Sequence, residues 1–170
     1  GGARVDSQSS GVTFLDTSWW ENGAGERGGA IFVADSTAVN VSDSVFRDNA
    51  VQAGSGSAVY AHGSVLSVLS SEFRGNSARG GGGTVFWEHA SGMQEPAGLR
   101  TGSNMFDDSN RAVYGAAWAT EAHHLRLAGG QEVFRVEEYD AFAPAVGVAL
   151  EDAYGQVVLT DSSSLVFVFV

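Results

Sequence analysis

The sequence predicts an all-β chain: a right-handed parallel β-helix of about four coils, followed by the start of a smaller immunoglobulin-like β-sandwich. Three observations carry the first part. The chain repeats itself with a period of about 27 residues, each repeat holds two short segments that alternate apolar and polar residues, and none shows a sustained helical period.

The period is visible in several independent columns. Gly1-Gly2-Ala3 recurs as Gly28-Gly29-Ala30, and in altered form as Gly56-Ser57-Ala58 and Gly82-Gly83-Thr84. Trp19, Phe46 and Phe73 keep the same interval, and each is followed three residues later by Asn: Asn22, Asn49 and Asn76. Before the aromatics, the alternation Val12/Phe14 returns as Val39/Val41 and Leu66/Val68, while Thr17, Ser44 and Ser71 hold one phase. Phe106 opens a fourth copy with Asn110 one place late, after about six extra residues that fall within 88–102. Alternation and β-branched content read as strands, and the Gly, Asn, Asp and Ser between them read as turns.

A repeat of short strands without helix fits one coil of a parallel β-helix, with coils about 4.8 Å apart. Equivalent side chains then lie above one another. Trp19, Phe46, Phe73 and Phe106 are expected to form an interior aromatic stack, and Ile31, Val59 and Val85 another wall. Asn22, Asn49 and Asn76 are expected at a turn, where side-chain amides can bond backbone or the next coil. Gly28, Gly29, Gly56, Gly82 and Gly83 are expected at a tight corner where a Cβ would be in the way.

Composition removes whole classes of chemistry. The 170 residues carry 20 acidic and 9 basic side chains, a formal charge of −11, and all nine bases are Arg. Without Lys there is no Schiff base and no P-loop lysine. Without Cys there is no disulfide framework, thiol nucleophile or thiolate metal site. The acidic balance opposes nucleic acid, which needs a basic footprint. No apolar run approaches the ~20 residues of a membrane span, and the segment 165–170 (LVFVFV) suits a buried strand instead.

The remaining candidates read mostly as surface. Asp16 and Asp43 share a column and could approach within about 5 Å on adjacent coils, but Ser70 dilutes it. Asp107-Asp108 and Glu137-Glu138 are adjacent acids, which point to opposite faces on a strand. His62 and His89 lie one period and so one coil apart, yet two imidazoles make at best a weak metal site. His123 and His124 are expected on a strand with diverging side chains. The Gly80–Gly83 run reads as a corner between strands. Trp20 and Trp87 are expected to be exposed, where a ring can stack on a sugar. Asn40-Val41-Ser42 is an acceptor sequon for N-glycosylation. No catalytic residue, metal ligand or cofactor is expected.

The repeat resembles the polymorphic outer membrane protein type, whose signature is Phe-x-x-Asn-x-Ala followed by Gly-Gly-Ala-Ile/Val. Here it reads Trp19-x-x-Asn22-x-Ala24 with Gly28-Gly29-Ala30-Ile31, then Phe46-x-x-Asn49 with Gly56-Ser57-Ala58-Val59. The third copy is Phe73-x-x-Asn76-x-Ala78 with Gly82-Gly83-Thr84-Val85. Such repeats occur in bacterial autotransporter adhesins and in large surface proteins of algae and other protists. The resemblance covers about residues 1–120 and implies a pectin lyase-like β-helix serving as a non-enzymatic structural or adhesive segment of a larger extracellular or cell-surface protein. It implies a stalk, fibre or filament whose partners are the rest of the same long chain, neighbouring subunits and surface polysaccharide. A carbohydrate-binding or polysaccharide-degrading β-helix is the alternative. Residues 121–170 form a separate β-strand tail. Alternation at Val146, Val148 and Leu150, followed by Asp152-Ala153-Tyr154-Gly155, looks like the opening of an immunoglobulin-like domain; strands packed on the end of the β-helix are the other reading. The chain opens in mid-repeat and stops in mid-strand, as expected of a stretch of a longer protein.

Overall fold

The computed structural model describes residues 2–6, 11–35, 38–89, 92–127 and 147–161. In chain order the strands are β1 (Ala3–Val5), β2 (Val12–Leu15), β3 (Ser18–Trp20) and β4 (Gly23–Ala24), then β5 (Ile31–Ala34), β6 (Val39–Ser42), β7 (Val45–Arg47) and β8 (Ala50–Val51). A third set is β9 (Val59–His62), β10 (Leu66–Leu69), β11 (Glu72–Arg74) and β12 (Ser77–Gly82). A fourth is β13 (Val85–Trp87), β14 (Met105–Phe106) and β15 (Arg111–Tyr114), followed by β16 (Trp118–Ala119), β17 (His124–Leu127) and β18 (Val148–Glu151).

Successive strands go to different sheets, and the chain returns to each sheet once per repeat. Sheet 1 has the order β1-β5-β9-β13-β16, sheet 2 β2-β6-β10, sheet 3 β3-β7-β11-β14 and sheet 4 β4-β8-β12-β15. All pairings in these four sheets are parallel. In sheet 2, Val12 faces Val39 and Val39 faces Leu66, so both steps keep the sequence period. Sheet 1 departs from it: the step from Ile31 to its partner Val59 is one residue longer, and the step from Val59 to Val85 is one shorter. The protein is therefore all-β, built of stacked parallel strands in four sheets.

Alternate residues of each strand point into one shared core. Ile31, Val33, Val39, Val41, Phe46, Val59, Val68, Phe73 and Val85 are wholly buried in it. Trp19, Phe46, Phe73 and Phe106 stack face to face, with centroids 6.2, 4.8 and 4.6 Å apart and planes within 9°. Strand spacing imposes those distances, since each ring sits at the same register position of sheet 3. Phe14 closes the stack edge-on against Trp19, and Trp118 does so against Phe106.

Between sheets the backbone turns through left-handed residues that also form columns. Gly28, Gly56, Gly83 and Gly115 have φ of 60°, 71°, 67° and 55° ahead of the strands of sheet 1. A Cβ on Gly28 would lie 2.4 Å from the Ile31 carbonyl oxygen, so the corner excludes any other residue. Asp16, Asp43, Ser70 and Ser103 turn the chain between sheets 2 and 3, with φ between 46° and 58°. Glu21, Asp48 and Gly75 do so between sheets 3 and 4, with φ of 52°, 54° and 64°. Gly80–Gly82, expected as a corner, instead lies within β12, where the pairing with β15 shifts register between Ala78 and Gly82.

The extra residues of the fourth repeat occupy the place of a sheet 2 strand. Ala97 bridges Ser67 of β10, and Met93 and Leu99 are buried against the core. At the far end, β17 pairs antiparallel with β18. The turn that follows packs on the last repeat through Asp152, whose wholly buried carboxylate accepts from the backbone N–H groups of Thr120, Tyr154 and Gln156. Residues 165–170 and Glu137-Glu138 lie outside the described residues.

Replacing Phe46 with Ala removes the ring that touches two stacked neighbours. The expected loss is about 3–5 kcal/mol, measurable by denaturant unfolding; a loss below about 1 kcal/mol would contradict its place in the stack.

Candidate functional site

The most continuous polar feature is a ladder of asparagines between sheets 3 and 4. Asn22 Nδ2 donates to Asn49 Oδ1 at 3.0 Å, Asn49 Nδ2 to Asn76 Oδ1 at 2.9 Å, and Asn76 Nδ2 to Asn110 Oδ1 at 3.0 Å. The same oxygens accept the backbone N–H of Asn22, Asn49 and Asn76, each at 3.0 Å. The amides of Asn49, Asn76 and Asn110 also donate to the carbonyls of Trp19, Phe46 and Phe73, which ties each rung to the aromatic stack. Asn49 and Asn76 are wholly buried, so every one of these bonds replaces hydration that folding removed. Asn110 completes the ladder although it arrives one place late after Phe106, because the turn that follows β14 holds the extra residue and returns the amide to the column.

A second ladder turns the chain between sheets 2 and 3. The backbone N–H of Thr17 donates to Ser44 Oγ, that of Ser44 to Ser71 Oγ, and that of Ser71 to Asn104 Oδ1. Sequence reasoning found the first three members and missed Asn104, since neither its residue type nor its spacing matches the column. The residue is two places before Phe106 as Ser44 is two before Phe46, and that phase was the available signal.

Titratable groups gather on the outer face of sheet 1. Tyr60 donates to Glu88 Oε1, His62 Nδ1 lies 2.6 Å from Glu88 Oε2, and the Arg27 guanidinium lies over the Tyr60 ring at 5.1 Å. The cluster corrects the expected pairing of His62 with His89: the shortened step of sheet 1 brings Glu88 opposite His62 instead. Burial, reinforced by the hydrogen bond to Glu88, pushes the Tyr60 hydroxyl well above its ordinary value. Burial pushes the Glu88 carboxyl up, but the hydrogen bonds from Tyr60 and His62 outweigh it and leave the group below 4.5. Phe32, Tyr60 and Phe86 stack at 5.7 and 5.3 Å in this same outer strip.

His89 packs on His123 at 3.9 Å between centroids, and His123 on His124 at 4.1 Å. The adjacent pair does not diverge as expected, because His123 precedes the strand that begins at His124. Among the described residues no group of three His, Asp or Glu is placed to hold a metal ion. The Ser109 hydroxyl, and then its backbone N–H at 2.7 Å, hold the Asp107 carboxyl low, and Asp107 follows β14 rather than lying in a strand. Asp16 and Asp43 occupy the left-handed corner described above, which accounts for their shared column.

Of the two outer tryptophans expected, one is outside. Trp20 is 62% exposed, whereas Trp87 is buried and its indole N–H donates to the Tyr154 hydroxyl at 3.0 Å. Trp87 points inward because it shares a strand face with Val85, and the tail segment then covers it. Burial pushes the Tyr154 hydroxyl up to about 12. Asn40 is exposed on the outer face of β6.

No family model, curated protein or solved structure matches this chain. Among the described residues no helix is long and apolar enough to cross a membrane.

Asn49→Ala removes the acceptor of the Asn22 N–H and amide and the amide donor to the Trp19 carbonyl, and leaves Asn76 Oδ1 with the backbone N–H of residue 49 alone; at ~1–3 kcal/mol for a buried unsatisfied group, the loss should exceed that of a surface substitution several-fold. Asn49→Asp keeps the acceptor but loses both donors and buries a charge, so thermal unfolding should show it at least as destabilised at neutral pH, with partial recovery on acidification.

Acid should act in two windows. The His123 imidazole is held below its ordinary 6.5 by lost hydration and then by His89 and His124. A base with a lowered folded value gives stability that is present above 6.5 and falls as pH drops through it. Glu88, an acid with a lowered folded value, gives stability that is present above 4.5 and lost as pH falls further. An NMR titration of the histidines with parallel unfolding curves checks both windows, and Glu88→Gln should remove the lower one.

Proposed function

We propose that this chain is a segment of a parallel β-helix, right-handed and of the polymorphic outer membrane protein repeat type, that works without catalysis as a structural or adhesive part of a larger extracellular or cell-surface protein. The observation that carries the reading is the continuous Asn22–Asn49–Asn76–Asn110 ladder laid against the Trp19–Phe46–Phe73–Phe106 stack. A ladder of this kind commits buried polar groups to joining repeats rather than to meeting a ligand. Each repeat is held to its neighbours alone, which is the mechanics of a solenoid that extends by addition of units. The contacts of Asp152, Tyr154 and Gln156 with Thr120, Trp87 and Trp118 support a tail packed on the end of that stack.

The alternative within reach is carbohydrate contact, favoured by exposed Trp20, whose register partner in the neighbouring strand is Arg47. Antibodies against the chain should label intact, unpermeabilised source cells or their extracellular matrix. Label confined to permeabilised cells, or release of reducing ends when the chain is incubated with acidic polysaccharides, would overturn the structural reading.

A further inference from the structure

The chain has six asparagines, and five of them, Asn22, Asn49, Asn76, Asn104 and Asn110, have side-chain amides bound between repeats. None of those five is followed by Ser or Thr two residues later. Asn40 differs in both respects. It begins the triplet Asn40-Val41-Ser42, and its side chain is exposed on β6 with no hydrogen-bond partner among the described residues. Its register neighbours are Thr13 and Ser67, small residues that leave the space above the amide open. Two positions along, on the same outer face, Ser42 lies between Leu15 and Leu69, which are 60% and 41% exposed.

We propose that Asn40 is an N-glycosylation site, and that its glycan covers the apolar strip of Leu15 and Leu69 on the outer face of sheet 2. The proposal rests on the extracellular reading above, because the donor, an oligosaccharide linked through pyrophosphate to an isoprenoid lipid, is met in a secretory lumen. Asn40 Nδ2 forms a bond to the anomeric carbon and gives up a proton, and the lipid pyrophosphate leaves. The other five asparagines are excluded as acceptors by sequence, and Asn49, Asn76 and Asn110 are buried as well. An outward position in the middle strand of sheet 2 fixes where the glycan stands, since β6 is paired on both sides.

The test secretes the chain from a eukaryotic host behind a leader peptide, beside N40Q and S42A. The expected result is a slower electrophoretic band that peptide N-glycosidase collapses, with Asn40 converted to Asp in the tryptic peptide spanning residues 28–47. Both variants should run only as the faster band, and the deglycosylated chain should bind more of an apolar dye. An unconverted Asn40 in the secreted, folded chain, or a slow band that persists in S42A, overturns the proposal. Chain taken from the surface of its source cells with a bare Asn40 overturns it too while leaving the surface reading intact. Chain found only inside those cells overturns the surface reading itself.

Discussion

The structure depends on how buried backbone groups are satisfied where the chain bends between sheets 3 and 4. In the first two repeats the strands there are two or three residues long, and between them the ladder of backbone bonds is interrupted. An N–H left at such a break, inside a protein, costs about as much as a lost hydrogen bond. The amide of asparagine answers this with one side chain: its oxygen accepts the N–H of the preceding repeat, and its nitrogen donates to that repeat's carbonyl. The arrangement works only if every repeat places Asn at the same depth, so the first two steps keep an interval of 27 and Asn110, after the insertion, reaches the column through its own turn. In sheet 1, the lengthened and shortened steps are absorbed at the glycine corner.

Charge follows the same geometry. Corners need left-handed residues, and away from glycine Asp and Asn are among the side chains that tolerate that conformation best. Asp16, Asp35, Asp43 and Asp48 all sit at such corners, so part of the net charge of −11 is a product of turn chemistry. The arginines take a different position. Arg4, Arg27 and Arg100 lie over the rings of Phe32, Tyr60 and Tyr154 at 4.9, 5.1 and 5.4 Å, covering aromatic surface that the core does not enclose. A planar guanidinium suits that position better than an ammonium, which fits a chain whose cations are all Arg.

What could be read from the sequence was whatever recurs. Columns of Phe, Asn and Ser declare a shared environment because equivalent positions meet the same neighbours in each repeat. The hidden features are those that break the repeat or meet it from outside. Trp87 shares the inward face of Val85, and the Tyr154 that covers it comes from a segment outside the repeat that nothing in the sequence placed there. The partner of His62 was misassigned by one residue because the average period conceals the short step from Val59 to Val85. The Tyr60–Glu88 pair belongs to a single repeat junction and leaves no periodic trace. The left-handed acids escaped notice because φ is a property of the turn, and Asp is common on any surface.

The extra residues before β14 show how a repeat array survives an interruption. In the first three repeats the turn into sheet 3 is served by Thr17, Ser44 and Ser71, and the hydroxyls of Ser44 and Ser71 each accept one N–H of the preceding repeat and donate to one carbonyl two residues back. The fourth repeat replaces its sheet 2 strand with a longer, irregular segment, so the neighbouring carbonyls are displaced. Asn104 takes the hydroxyl position and extends it. Its oxygen still accepts the N–H of Ser71, while its amide donates to Val68 of the stack and to Gly98 and Leu99 of the insertion, at 2.8, 2.8 and 3.1 Å. One residue thereby continues the ladder and anchors the segment that broke the repeat. A serine there would reach the N–H but lose the amide's bonds to Val68, Gly98 and Leu99, so departure from the column is what keeps the column tied to the insertion.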